Sequence, residues 1–475
     1  MALVFATGAS GADIGANDDT GKYSADAGAV FFPQMAALGL KQSVMTVRFV
    51  PSNPTVIDGG VELDRAIGMA ELAGLRVVLA VYPYPPRELE LRLTTPADFA
   101  IWLTMVAQRY PMVKQYVVMN EPNQPAFLRP QFGPTGKNVS AARAGAYLAA
   151  GYDALKAVDP AIKVIGLGLS PRGNDRPTAP NNVSTSPVRF LNALGAWYRA
   201  TGRQRPLMDG LSFHPYPNSA TDLLDRGYPW PNAGFSDLGR IKQAIWDAFR
   251  DTPQPTTVTG LRLYLDEVGW QVDTSLFDGY SGIENVPVTD ELSQAGIYQQ
   301  LVRSVTCDPH VAELNFFGFY DDRTRDAGFQ AALNRVDGTP RASALAVQSA
   351  ITEAATGCAD PPSLPWYPAK RVIGAVAPTW KVGPGDLVRF EVTASEGADV
   401  VACLLPGRLG GVAATTAMAG QTASSSGCVG RKALPGRPAR FVVHRGLPLQ
   451  PATAAVRLVA EGSVKRSNTF SRTLR

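Results

Sequence analysis

A chain of 475 residues is too long for one small core, so two domains are the natural expectation. Its 45% hydrophobic and 18% charged residues are ordinary for a globular protein, and no run approaches the ~18 uninterrupted apolar residues of a membrane span. A formal net charge of +4 without a dense Lys/Arg cluster leaves nucleic-acid binding without electrostatic support.

The first three-quarters of the chain alternates short apolar strands with amphipathic helices. Strands are expected at 2–7 (ALVFAT), 43–50 (SVMTVRFV), 76–83 (RVVLAVYP) and 115–120 (QYVVMN). Four more follow at 163–170 (KVIGLGLS), 209–217 (DGLSFHPYP), 261–270 (LRLYLDEVGW) and 313–322 (ELNFFGFYDD). Most are continuous apolar runs, the pattern of parallel strands covered on both faces. Between them, TPADFAIWLTMVAQRYP has Thr95 as N-cap, Pro96 at the first helical position and Asp98 to complete a capping box. Phe99, Trp102, Leu103 and Val106 then form one apolar stripe. GVELDRAIGMAELAGL repeats the scheme, with Gly74 as a C-cap.

Eight strands alternating with helices point to a (β/α)₈ TIM barrel over 1–358. An open doubly wound sheet is the competing topology, disfavoured because no Gly-rich phosphate-binding turn follows the first strand. The PPSLPWYPAKR stretch gives a linker at 359–370. Beyond it, DLVRFEVTA, ADVVACLLP, ARFVVHRG and AAVRLVAEG alternate between Gly/Pro/Ser-rich turns, which suggests a small immunoglobulin-like β-sandwich over 371–475, an accessory domain that braces the barrel.

The four cysteines include no Cys-x-x-Cys pair and the three histidines no ligand cluster, which argues against structural zinc. Cys307–Cys358 and Cys403–Cys428 are the simplest of three possible disulfide pairings, with free buried thiols as the alternative. Disulfides would favour a secreted or extracytoplasmic setting. No signal peptide is visible; MALVFATGAS reads as a mature domain behind an added Met1.

In such a barrel, side chains at the C-terminal strand ends converge on one mouth. Glu121 ends the fourth strand and Glu267 the seventh. Alternation places Asp266 and Glu267 on opposite faces, so only one of them is expected at the mouth. Two facing carboxyl groups are what glycosidic cleavage needs, one protonating the leaving oxygen while the other attacks the anomeric carbon.

NEP closing one strand, SFHPYP two strands later and LDEVGW on the next resemble clan A of the retaining glycoside hydrolases, over roughly residues 1–355. The resemblance implies Glu121 as general acid/base, Glu267 as nucleophile and Asn120 on the hydroxyl beside the anomeric centre. It implies Arg48 supporting and charging the nucleophile, and His214 and Tyr216 as the strand-six His-x-Tyr, with Tyr216 donating to Glu267. Clan members carry a tryptophan at the end of strand eight; here LNFFGFYDD has none, and Phe317, Phe319, Tyr320, Trp270 or Trp230 is the candidate floor. Trp270 and Gln271 are expected to face the cleft. Asn123 stands open between sugar ligand and loop cap, and Tyr82 and Tyr84 between substrate platform and packing.

Within the clan the pattern is most similar to family 39, with family 5-like relatives next. That implies exo-type release of a mono- or disaccharide, such as a xyloside or arabinofuranoside unit, from an oligo- or polysaccharide. An endo-acting β-glycanase is the alternative, and an inactive carbohydrate-binding barrel the alternative of another class. The partner is a carbohydrate substrate, a monomer is expected, and no metal or organic cofactor is implied because two carboxylates suffice.

Overall fold

The computed structural model describes residues 11–358, 366, 368, 375–382, 387–394, 398–433, 439–444, 452–460 and 467–474. The chain divides into two compact units, Met1–Tyr367 and Pro368–Arg475.

The first unit is a closed barrel of eight parallel strands. They are β1 (Asp13–Asn17), β2 (Gln42–Phe49), β3 (Arg76–Pro83), β4 (Gln115–Val118), β5 (Lys163–Leu169), β6 (Gly210–Phe213), β7 (Arg262–Val268) and β8 (Val311–Phe317). Pairing of β1 with β8 closes it. A helix follows every strand, so the doubly wound alternative is excluded. The expected first strand at 2–7 lies outside the described residues, and the strand that opens the barrel is 13–17.

Strand alternation sorts the side chains. Val44, Val78, Val117, Ile165 and Tyr264 pack together inside the barrel, while Val81 and Val118 belong to the larger core between strands and helices. Helix Pro96–Arg109 shows how the sequence builds that outer layer. Thr95 Oγ1 accepts from the Asp98 amide and Asp98 returns a carboxylate to the Thr95 amide at 2.8 Å, satisfying two donors that the helix start would otherwise leave bare. Phe99, Trp102, Leu103 and Val106 are all fully buried, each worth roughly 1.5–3 kcal/mol against exposure. At the end of the earlier helix Gly60–Leu72, Gly74 takes φ +80° and donates its amide to Glu71 O at 2.9 Å, a left-handed stop that glycine permits without a Cβ penalty.

Below the apolar layer the barrel is closed by polar side chains. Arg76 donates to Glu313 at 2.7 Å, Gln115 donates to its other oxygen at 2.8 Å, and Gln42 donates to Asn315 at 2.8 Å. Cys307 and Cys358 are joined, tying the end of helix Glu291–Thr306 to the residues after helix Ala342–Ala354. No helix among the described residues is long and apolar enough to cross a membrane.

The second unit holds two antiparallel sheets. One has the order β13-β10-β9, from β9 (Ala375–Val382), β10 (Leu387–Ala394) and β13 (Ala439–His444). The other has the order β12-β11-β14-β15, from β11 (Ala398–Pro406), β12 (Cys428–Ala433), β14 (Ala452–Ala460) and β15 (Ser467–Leu474). Val388, Phe390 and Phe441 of the first meet Val400, Val456 and Leu458 of the second in one core. Cys403 and Cys428, directly opposite on β11 and β12, form the second disulfide. A helix at Gly411–Ala419, absent from the expectations, buries only Ala414 and Met418.

Candidate active site

The site begins where β4 breaks. Met119 at φ +76° and Glu121 at φ +38° occupy the left-handed region, which costs a residue with a Cβ roughly 1–2 kcal/mol. The bend is held because the Glu121 amide donates to Gly168 O at 2.9 Å. Gly168 is itself left-handed at φ +55°, and a Cβ there would sit 2.9 Å from His214 Nε2. Glycine at 168 thus makes room for the imidazole that organises the site.

That imidazole is buried, with 1% of its side chain exposed, and one nitrogen serves both acids. His214 Nδ1 lies 3.2 Å from Glu121 Oε1 and 3.4 Å from Glu267 Oε2. Tyr216 Oη donates to Glu267 Oε2 at 3.2 Å, and Asn17 Nδ2 donates to Glu267 Oε1 at 3.4 Å. Burial alone would lower the imidazole pKa, but the charge of Glu267 and the hydrogen bond and charge of Glu121 outweigh it and hold the pKa at about 9. His214 is therefore held in its cationic form while the two acids are ionised. For Glu267, burial raises the pKa and the negative charge of Glu121 adds to it, while His214 and the Tyr216 hydrogen bond pull back down; the net direction is up. Burial beside Glu267 keeps the Tyr216 phenol protonated, far above its ordinary value.

Asp266 keeps the inward phase of Tyr264 two residues before it, and it is Glu267 that departs from the two-residue period, where the register of β7 against β8 shifts between Leu265 and Val268. Asp266 is buried beneath the pair, where burial raises its pKa to about 7 and the charge of His214 opposes the rise.

Two cavities meet at the carboxylates. One of about 630 Å³ is lined by Glu121 and Tyr216, the other of about 510 Å³ by Glu267, Asn17, Asn120 and Arg48. Phe317, Asp322 and Phe329 line both, so the two form one cleft with the acids at its seam.

The remaining expected residues divide. Tyr320 lines the Glu267 cavity, its ring edge-on to Phe31 at 5.2 Å. Arg48 lines the same cavity, but its guanidinium lies 5.0 Å over the Tyr84 ring and bonds Tyr82. Asn17, rather than Arg48, touches Glu267. Tyr84 is half-buried, packed against Tyr82 and Phe127 with ring centroids 6.4 and 6.5 Å away. Tyr82, not Tyr84, reaches the cavity wall.

Of the remaining three, Asn123 and Trp270 take structural positions and Gln271 borders the cleft. Asn123 is fully buried, donating to Ser170 O and Thr185 O at 3.1 and 2.9 Å and accepting from the Ser170 amide at 3.0 Å, so the loop-tie reading describes it. Trp270 is 2% exposed and gives its indole N–H to Asp222 O at 2.8 Å, because the turn after β7 carries it into the core. Gln271 borders the Glu121 cavity, but its amide is held by Gln330 at 2.6 Å.

Sequence reasoning missed Asn17, Phe329 and the carboxylates Asp18 and Asp19. Asn17-Asp18-Asp19 is a polar run at a strand end, and that signal was available once β1 was placed. Phe329 comes from the long loop after β8 and carries no periodic signal. At the strand-eight position Phe317 lies edge-on to Tyr216 at 6.2 Å and to Phe329 at 5.7 Å, so phenylalanines stand where a tryptophan was sought.

No family model matches the chain, and no curated protein does. Among solved structures it resembles a family 39 glycoside hydrolase from the gut symbiont Bacteroides cellulosilyticus WH2, with 15% identity and a TM-score of 0.47, over 92% of this chain and 81% of that one. It also resembles GH5_18 from Streptomyces cattleya, solved with GlcNAc, with 15% identity and a TM-score of 0.49, over 74% of this chain and 82% of that one. A glucosidase from Croceicoccus marinus shares 13% identity with a TM-score of 0.49, over 97% of this chain and 92% of that one.

Proposed function

We propose that this chain is a retaining glycoside hydrolase in which Glu267 is the nucleophile and Glu121 the general acid/base. The observation that carries this reading is the meeting of both carboxylates at one imidazole nitrogen. Their oxygens lie no farther apart than the two contact lengths laid end to end, about 6.6 Å, and any bend at the nitrogen brings them closer. Inverting pairs need about 6.5–9.5 Å to admit a water between acid and sugar, whereas retaining pairs stand about 5–5.5 Å apart.

Glu267 attacks the anomeric carbon while Glu121 gives its proton to the departing oxygen, leaving a glycosyl ester on Glu267 and a free alcohol. Glu121, now ionised, takes a proton from water, whose oxygen attacks the same carbon and releases Glu267. The His214 cation, the Tyr216 phenol and the Asn17 amide keep Glu267 ionised in a buried setting that would otherwise protonate it. Asn120, on the Glu267 side of the seam, is placed to bond the neighbouring sugar hydroxyl.

Exo-type release of a mono- or disaccharide, a pentoside such as a xyloside or arabinofuranoside, is the finer reading. The cavity beside Glu267, at about 510 Å³, is on the scale of a single small-molecule pocket rather than of a groove for many sugar units. Two disulfides favour an extracytoplasmic setting. The test is a panel of aryl pentosides and hexosides with the wild type and Glu267→Ala. One sugar series is expected to be cleaved by the wild type alone; equal turnover by Glu267→Ala would refute the assignment and leave a binding barrel or an unrelated chemistry.

A further inference from the structure

The mechanism assigns the two halves of the cleft. Glu267 lies under the sugar it attacks, and Glu121 faces the oxygen that departs, so the leaving group occupies the cavity of about 630 Å³ on the Glu121 side. Besides Glu121, the wall of that cavity carries two charged side chains, Arg172 and Asp322, among neutral ones.

Arg172 stands on a stretch of backbone, just after β5, that is fixed residue by residue. Asn123 accepts from the Ser170 amide at 3.0 Å and donates to Ser170 O at 3.1 Å. The Ala233 amide donates to Pro171 O at 2.9 Å, Gln124 donates to Arg172 O, and the Gly173 amide donates to Asn232 at 2.9 Å. A Cβ on Gly173 would run into the backbone of Thr185, so the chain has no room to shift there.

The side chain carried by this rigid backbone is nevertheless exposed, and its partners are neutral. Arg172 Nη1 donates to Asn218 O at 3.4 Å, and the guanidinium bonds the Tyr228 phenol. Among the described residues no carboxylate pairs with it. By contrast Arg189 and Arg240, on the helices that follow β5 and β6, pair with Asp175 at 3.2 Å and Asp237 at 3.0 Å. Asp322 does not supply the missing charge. One of its oxygens accepts from the Phe329 amide at 2.9 Å, and it borders both cavities, whereas Arg172 borders only the leaving-group side. A planar guanidinium fork matches the two oxygens of a carboxylate. Asn218 beside it is exposed and offers its side-chain amide to hydroxyls.

We infer that Arg172 makes the leaving-group half of the cleft selective for an acidic sugar, so that the bond cleaved joins the released sugar to a uronic acid. This rests on the glycosidase reading and names the leaving half of its substrate. The experiment uses the sugar selected by the aryl-glycoside panel, linked in turn to each ring hydroxyl of methyl glucuronide and of methyl glucoside. Members of a pair differ only in a carboxylate against a hydroxymethyl group away from the bond, so acid catalysis by Glu121 is closely matched.

The best uronide is expected to show kcat/KM about three- to tenfold above its glucoside partner, through KM, and the ratio to shrink at about 1 M salt, where an exposed ion pair is screened. Arg172→Gln is expected to bring the ratio to about one, and Arg172→Lys to keep part of it. Three results would overturn the inference: equal or better cleavage of the glucoside, a uronide preference that survives Arg172→Gln, or cleavage of neither series while the aryl glycoside is turned over. In each case an inactive Glu267→Ala leaves the glycosidase reading standing; turnover of the aryl glycoside by Glu267→Ala would remove the reading and the inference together.

Discussion

At the N-terminal end of the barrel, Glu313 is saturated: Arg76 holds one oxygen and Gln115 the other. At the C-terminal end, Glu121 and Glu267 are just as firmly fixed to side chains, but each also borders open cavity. Both places put carboxylates inside one barrel, and burial raises the pKa of Glu313 as it does that of Glu267. What separates them is the partner. A guanidinium and an amide hold Glu313 at 2.7 and 2.8 Å, and it borders neither half of the cleft, whereas Glu121 and Glu267 share one imidazole at 3.2 and 3.4 Å and both line it. Perturbation alone therefore does not mark a reactive acid; perturbation beside an open cavity does.

Breaking the C-terminal end has the larger consequences. Glu267→Ala is expected to lower kcat on any cleaved aryl glycoside by about 10⁴-fold or more, because no other group can form the ester. Glu121→Ala is expected to cost roughly 10²–10⁴-fold on alkyl glycosides and far less on dinitrophenyl glycosides, whose leaving groups need no proton. Equal losses on both would remove Glu121 from the acid role.

His214 sharpens the comparison through stability. Its folded pKa of about 9 lies above its ordinary 6.5, so protonation stabilises the fold. That contribution is complete below pH 6.5 and is lost as pH climbs through 9, with a size of about 3 kcal/mol. Denaturation midpoints of the wild type and His214→Gln should thus converge as pH rises across that window. At the other end, Glu313→Ala strands Gln115 and part of Arg76, which should destabilise the fold by roughly 1–3 kcal/mol while leaving the pH–rate profile where it was. The smallest effect belongs to Tyr216→Phe. It removes the bond that lowers the Glu267 pKa, so the acidic limb of the pH–rate profile should move to higher pH and kcat/KM fall about tenfold.

The sequence was most legible where burial on both faces writes a continuous apolar run. β3 occupies 76–83 as expected, and β2, β4, β5 and β7 fall within a few residues of their expected bounds. β1 escaped for the opposite reason. DIGAN points Asp13, Gly15 and Asn17 into the barrel, and Gly15 is so tightly enclosed that a Cβ would sit 2.4 Å from Asn315 Oδ1. An interior strand of that composition has no hydrophobic signature. At the site, Glu121, Glu267, His214 and Tyr216 were legible because strand position fixes where they point, while Asn17 went unseen with its strand. On the turn after β7, Gln271 borders the cleft as its position suggests, but only the path of the loop decides that Trp270 enters the core. Asn123 belongs with Trp270, since an asparagine that locks a loop and one that binds a sugar are the same letter.

The central claim is that Glu267 attacks the sugar with Glu121 opposite it. The most direct measurement is to incubate the protein with a 2-deoxy-2-fluoro dinitrophenyl glycoside of the preferred sugar, which forms the ester quickly and releases it slowly, and then to map the added mass by peptide fragmentation. The account predicts one glycosyl unit per chain, attached at Glu267 and absent in Glu267→Ala. A label on any other residue, or turnover of the natural glycoside with inverted configuration at the anomeric carbon, would contradict it.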